Sequence, residues 1–160
     1  MKLFDPSSRI GLGGAPLGNL LTAVSDEDAA ATVEAAWDEG WRYFDTAPHY
    51  GLGLAEERLG AALRDKPRDS YVLSSKVGRL IVPGDAAVPD DEGFEVTTTL
   101  RREWDFSRDG VLRSIEDSLR RMGTDRLDVV LVHDPDDHYE EALQTAFPTL
   151  AALRDEGVIK

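Results

Sequence analysis

The chain of 160 residues contains no cysteine. That absence removes disulfides, thiolate zinc sites and a cysteine nucleophile together, and it fits a reducing compartment. Positive charge is also scarce, with 18 Lys and Arg against 31 Asp and Glu and a formal charge of −13. Such a surface repels phosphate backbones and anionic lipid heads, so neither nucleic acid nor a membrane is an expected partner. No apolar run approaches the ~20 residues that cross a bilayer, and the opening "MKLFDPSSR" lacks the apolar core of a secretion signal. The expectation is a cytoplasmic protein.

What is present is a 41% apolar chain, enough for one sizeable core and a single domain over residues 1–160. Short apolar runs alternate with helical patterns. "RIGLG" at 9–13 is a weak first strand, "WRYF" at 41–44 a second, "YVLSSK" at 71–76 a third, and "LDVVLVH" at 127–133 a fourth. The fourth is apolar without alternation, as a strand buried on both faces should be. Between them, Ala30, Val33 and Trp37, then Ala55, Leu59, Ala62 and Leu63, then Val111, Ile115, Leu119 and Met122 recur at helical spacing. Ser25 and Ser107 stand as N-caps, and Gly40 and Gly123 as helix exits. Pro148 starts a fresh turn in the last helical segment, after which Val158 and Ile159 read as the opening of a fifth strand.

Four strand–helix units with no hairpin signal between strands imply parallel strands and crossover helices. An open doubly wound sheet and a (β/α)8 barrel both satisfy that pattern. Four units are half a barrel, whose usual length is ~250 residues, so the expected object is a partial barrel cut at the start of strand five. Its uncovered strand edges favour self-association. Residues 77–106, with Pro83, Gly84, Pro89 and Gly93, read as a long loop, a functional lid or a mobile insertion, whose Phe94, Trp104 and Phe106 either cover a ligand or pack the loop down.

Parallel α/β folds gather their reactive groups at the carboxyl ends of the strands. Here the second strand runs into Asp45, with Tyr50 in the loop beyond, the third ends in Lys76 and the fourth in His133. A phenol ionises near pH ~10, and a close ammonium favours its phenolate, which is the role for Lys76. A carboxylate keeps such a lysine charged, which is the role for Asp45. His133 can hold a substrate oxygen against Tyr50, which exchanges the proton with a carbonyl or an alcohol. The matching hydride requires a cofactor, since no side chain carries one, and nicotinamide is the natural candidate.

"GLGGAPLGN" at 11–19 does not fit a dinucleotide fingerprint, because Pro16 occupies the place of its last glycine. In "GLGLAEE", Glu56 replaces that glycine, and Glu56 and Glu57 make the helix start hostile to phosphate. "HDPDDH" at 133–138 admits a metal-dependent hydrolase as a competing reading, although a loop that runs from Asp134 to His138 does not converge on an ion and Lys76 opposes one; no metal ligand is assigned. A third reading is a non-catalytic or regulatory barrel fragment.

The segments "RIGLGGAPLGNL", "GWRYFDTAPHYGLGLAEERLGAAL", "SSKVGR" and "RLDVVLVHDPD" resemble successive signatures of the aldo/keto reductases, from about residue 9 to the end of the chain. Within the family they are most similar to the branch of aldose and pyridoxal dehydrogenases. The resemblance implies a (β/α)8 barrel and NAD(P)(H) bound without a Rossmann fold. It places the family's catalytic tetrad on Asp45, Tyr50, Lys76 and His133, and cofactor contacts on Gly13 and Asp45. It further implies small carbonyl, alcohol or sugar hemiacetal substrates, with Tyr50 as proton donor or acceptor. Chains of the family are about twice as long, and most contacts to the cofactor's pyrophosphate and adenosine come from their second half.

Overall fold

The computed structural model describes residues 10–160, so the readings made on "MKLFDPSSR", Arg9 included, lie outside the described residues. In chain order the elements are β1 (Leu12–Gly13), α1 (Asp26–Asp38), β2 (Tyr43–Asp45), α2 (Leu54–Leu63), β3 (Val72–Val77), β4 (Arg79–Pro89), β5 (Thr97–Trp104), α3 (Arg108–Met122) and β6 (Val129–Val132). A last helical stretch follows through α4 (Tyr139–Glu141), a π segment (Ala142–Ala146) and α5 (Phe147–Asp155), with Pro148 in the first turn of α5. Strands β1, β2, β3 and β6 pair in parallel in that order. This is the alternation of half a (β/α)8 barrel.

Helices α1 and α3 start where a side chain satisfies one of their first amides. Ser25 and Ser107 lie in extended backbone, and their hydroxyls accept hydrogen bonds from the Asp28 and Gly110 amides. Gly123 closes α3 in the left-handed region at φ 62°, which a side chain would oppose. On α1 the inward stripe is Ala29, Val33 and Ala36, with Trp37 partly covered; Val33 and Trp37 hold as the spacing suggested, whereas Ala30 faces solvent and Ala29 takes its place. On α2 and α3 the expected faces hold, since Ala55, Leu59, Leu63, Val111, Ile115 and Met122 are all buried.

The register sorts the sheet into two faces. Phe44 and Leu73 are paired, and with Val77 they lie buried in the cluster that the helices cover. The opposite face carries Gly13 beside Asp45, Asp45 beside Ser74, and Lys76 beside Leu131, with His133 two residues after Leu131. Because side chains alternate along a strand, these residues share one side of the sheet. Leu131 is 42% exposed there. β6 is therefore covered on its helix side alone in this chain, a correction to the reading of a strand buried on both faces. Val158 and Ile159 form no strand, yet Ile159 is buried and the Lys160 amide donates to Asp128 O at 2.9 Å, beside the entry to β6.

The segment read as a loop is a regular antiparallel hairpin. β4 pairs with β5 from Arg79–Trp104 through Pro83–Leu100, breaks register, and resumes at Val88–Thr98. A two-stranded ribbon has only edge strands, so Pro83 and Pro89 interrupt no central ladder. Its tip docks on the loop after β1, where the Leu21 amide donates to Gly93 O at 2.8 Å and the Glu95 amide to Asn19 O at 2.8 Å. Among the described residues, no helix is long and apolar enough to cross a membrane.

Candidate active site

Asp45 ends β2 and bonds sideways to β3. Its Oδ1 accepts from the Ser74 hydroxyl at 2.6 Å, and its Oδ2 from Lys76 Nζ at 2.6 Å. Lys76 also donates to Thr46 O at 2.9 Å, and its side chain is only 12% exposed. The carboxylate thus offsets the cost of placing an ammonium in a largely desolvated position. An ammonium has three donors, so one N–H of Lys76 has no partner among the described residues.

Tyr50 reaches this pair from a tight loop. Gly18 sits directly under it: a methyl group there would lie 2.6 Å from the Tyr50 backbone carbon. Gly51 faces Gly18 as closely: a methyl group on it would lie 2.4 Å from the Gly18 carbonyl oxygen, and its φ is +63°. Only glycines allow that approach. The Lys76 nitrogen lies 4.7 Å from the centre of the Tyr50 ring. It therefore meets the phenol over its face, while its two hydrogen bonds go to Asp45 and Thr46 rather than to the hydroxyl.

His133 follows β6, held by its amide to Val77 O at 2.9 Å. Its ring crosses Tyr50 edge-on at 5.7 Å between centroids, and His49 at 5.2 Å. Burial, reinforced by the Arg79 and Lys76 charges, pushes His133 down to about 4 against the opposing pull of Asp134. The neutral imidazole keeps one N–H for a substrate oxygen. Asp45, Tyr50, Lys76 and His133 therefore stand together at the carboxyl end of the sheet. Gly13 stands beside Asp45 with nothing within 4 Å of where its side chain would point.

The rim was not legible. Arg79 donates to Glu92 at 2.7 Å and to Asp134 at 2.8 Å, approaches His49 Nδ1 at 3.3 Å, and stacks on Trp104 at 4.2 Å. Arg102 ties Asp90 to the His49 carbonyl oxygen. Phe94, buried at the hairpin tip, meets His49 at 5.1 Å and Tyr50 at 6.1 Å. Of the aromatics in the hairpin region, Phe94 thus walls the site, Phe106 is wholly buried, and Trp104 lies between Arg79 and His138. The period-two run "TTTLRREW", with Thr98, Leu100 and Arg102 turned inward, was the available signal.

His138 packs on Trp104 at 4.8 Å and Phe106 at 5.3 Å, away from His133, and among the described residues no cluster of His, Asp and Glu is arranged to hold a metal ion. The helix start of α2 also differs from expectation. Glu56 is fully buried, accepting from Ser75 and from Arg121 at 2.6 Å each, so its charge is neutralised inside the protein rather than presented to a ligand.

Burial, with help from Arg79, Arg102 and His133, lowers His49 to about 3. Both imidazoles thus titrate below the unfolded value of ~6.5, so above that pH neither penalises folding. As the pH falls from 6.5 toward 4 and 3, the unfolded chain takes up protons that the native state refuses, and stability declines. Urea unfolding at about pH 7.5 and about pH 5.5 should differ by on the order of 1 kcal/mol per imidazole, and the difference should shrink in His49→Phe.

Residues 9–160 match the Aldo/keto reductase family. The chain is 52% identical over 156 residues to D-threo-aldose 1-dehydrogenase of a Pseudomonas species, covering 94% of this chain and 47% of that protein. It is 46% identical over 134 residues to pyridoxal 4-dehydrogenase of Microbacterium luteolum, covering 78% and 39%. Its fold is similar to the crystal structure of a Klebsiella pneumoniae aldo-keto reductase in complex with NADPH, at 31% identity and a TM-score of 0.64, over 93% of this chain and 42% of that one. The chain spans about half the length of the curated relatives it matches.

Proposed function

From the premise that this chain belongs to the aldo/keto reductase family, we propose that it carries the proton-transfer machinery of an NAD(P)(H)-dependent oxidoreductase acting on a small carbonyl, alcohol or sugar hemiacetal. The observation that carries the reading is the meeting of Asp45, Tyr50, Lys76 and His133 at one end of three strands. In the reducing direction Tyr50 gives its phenolic proton to the substrate oxygen. In the oxidising direction, which converts a cyclic hemiacetal to a lactone, it takes the hydroxyl proton. His133 holds that oxygen with an imidazole N–H. Lys76 places positive charge against the Tyr50 ring, and Asp45 holds the lysine there.

The first half of a cofactor site fits what is present. Gly13 leaves room at the sheet end beside the Asp45 carboxylate, and Thr46 Oγ1 is buried without a hydrogen-bond partner among the described residues. Gly13 and Asp45 would hold the nicotinamide end. When bound, NAD(P)(H) supplies or receives the hydride. Phe94 and the hairpin exclude water from the side of Tyr50. The 52% identity to an aldose 1-dehydrogenase favours an aldose as the reduced partner.

Incubating the protein with an aldose and NAD(P)+ should produce absorbance at the wavelength of reduced nicotinamide. No reduction with any aldose, and no NADPH oxidation with any aldehyde, would count against the proposal. Titrating residues 1–160 with NADPH while following nicotinamide fluorescence measures the cofactor affinity of this chain.

A further inference from the structure

His49 stands in the site without a part in the proton transfer. Its surroundings define which nitrogen carries hydrogen. Nδ1 lies 3.3 Å from Arg79 Nη1. A guanidinium can only donate, and the Glu92 carboxylate oxygen, 3.8 Å from the same nitrogen, is beyond hydrogen-bond distance, so this contact assigns Nδ1 as the acceptor and the proton of the neutral ring to Nε2. Arg79 is itself fixed by Glu92, Asp134 and the Trp104 face, so this polarity is built into the rim. Burial and the two neighbouring arginines keep the ring neutral, with its titration lowered to about 3. Nε2 makes no hydrogen bond with any described residue. It is also absent from the group of polar atoms sealed from solvent without a partner, which includes Thr46 Oγ1 and His133 Nδ1. An N–H unpaired among the described residues therefore stands on a ring 5.2 Å from His133 and 5.9 Å from Tyr50, with the side chain 12% exposed.

We propose that His49 determines specificity: its Nε2–H donates to a second oxygen of the substrate, adjacent to the one held by His133, and so selects hydroxylated carbonyls and hemiacetals over apolar aldehydes. The inference rests on the reductase reading above. A purely packing role would be met by any ring that fills the space between Phe94, Tyr50 and His133. It would not require Arg79 to direct hydrogen bonding onto one nitrogen. A substrate with a hydroxyl beside the reacting carbon supplies the acceptor that Nε2 lacks. An apolar aldehyde leaves that donor unpaired in a partly desolvated place, at a cost comparable to one neutral hydrogen bond.

Two measurements test this. Long-range nitrogen–proton NMR spectra of residues 1–160 should show the His49 ring as the Nε2–H tautomer, and a ring protonated on Nδ1 would overturn the proposal. In the protein, His49→Phe keeps an aromatic ring against Phe94. The ratio of kcat/KM for an aldose to that for benzaldehyde should fall about tenfold in this variant, through KM more than kcat. A ratio equal to that of the unsubstituted enzyme would overturn the assignment of His49 and leave the reductase reading intact. An unsubstituted enzyme that turns over neither substrate would overturn both.

Discussion

Under the proposed function, replacing Tyr50 with Phe should lower kcat by about 100- to 10,000-fold while KM changes only a few-fold. The substitution removes one oxygen atom and keeps the ring. The contacts that position that ring are to its face and edges: Lys76 Nζ at 4.7 Å, His133 at 5.7 Å and Phe94 at 6.1 Å. The loop beneath is held by the Gly18–Gly51 approach, which involves no side chain. Phenylalanine should therefore occupy the same place, leave the site folded, and lose only the exchangeable proton. A variant with near-normal turnover would remove Tyr50 from the chemistry. A variant with raised KM and normal kcat would make it a binding residue.

Glu56→Ala should destabilise the fold by about 3 kcal/mol in urea unfolding, because it leaves a mostly buried cation and a buried hydroxyl without their acceptor. Glu56 is 0% exposed, and Arg121 on α3 is 17% exposed. Their 2.6 Å ion pair, with the 2.6 Å bond from Ser75 on β3, links α2, α3 and the sheet in one contact. Adding Arg121→Met should recover part of the loss, since removing both charges leaves none uncompensated. An unchanged midpoint in the single variant would mean that Arg121 finds water at no cost. The effect should appear in stability rather than in the site's chemistry, since Glu56 points to the helix side of the sheet and Lys76 to the other.

Local grammar made much of this readable in advance. Ser25, Ser107 and Gly123 act through their own backbone within one turn, so their capping roles follow from position. Asp45, Lys76 and His133 were legible because a buried parallel strand can place an ionisable residue only near its end, and all strands of such a sheet end on one side. The hairpin was not, since Pro83, Gly84 and Pro89 break a central strand but are harmless in a two-stranded ribbon. Arg79 and Arg102 gain their meaning from that hairpin. Without it, nothing in "KVGR" or "LRRE" says that two guanidinium groups arrive beside His49. Glu56 shows the limit of a motif-based argument: its place at a helix start suggested a charge facing a ligand, whereas the partner that turns it inward lies 65 positions away at Arg121.

The central claim is that one substrate oxygen is shared by Tyr50 and His133 above the Asp45–Lys76 pair. A crystal structure of the protein with NADP+ and an aldose or lactone bound tests it most directly. The account predicts a substrate oxygen within about 3 Å of both the Tyr50 hydroxyl and a ring nitrogen of His133. A substrate seated with its reacting oxygen away from both would contradict it.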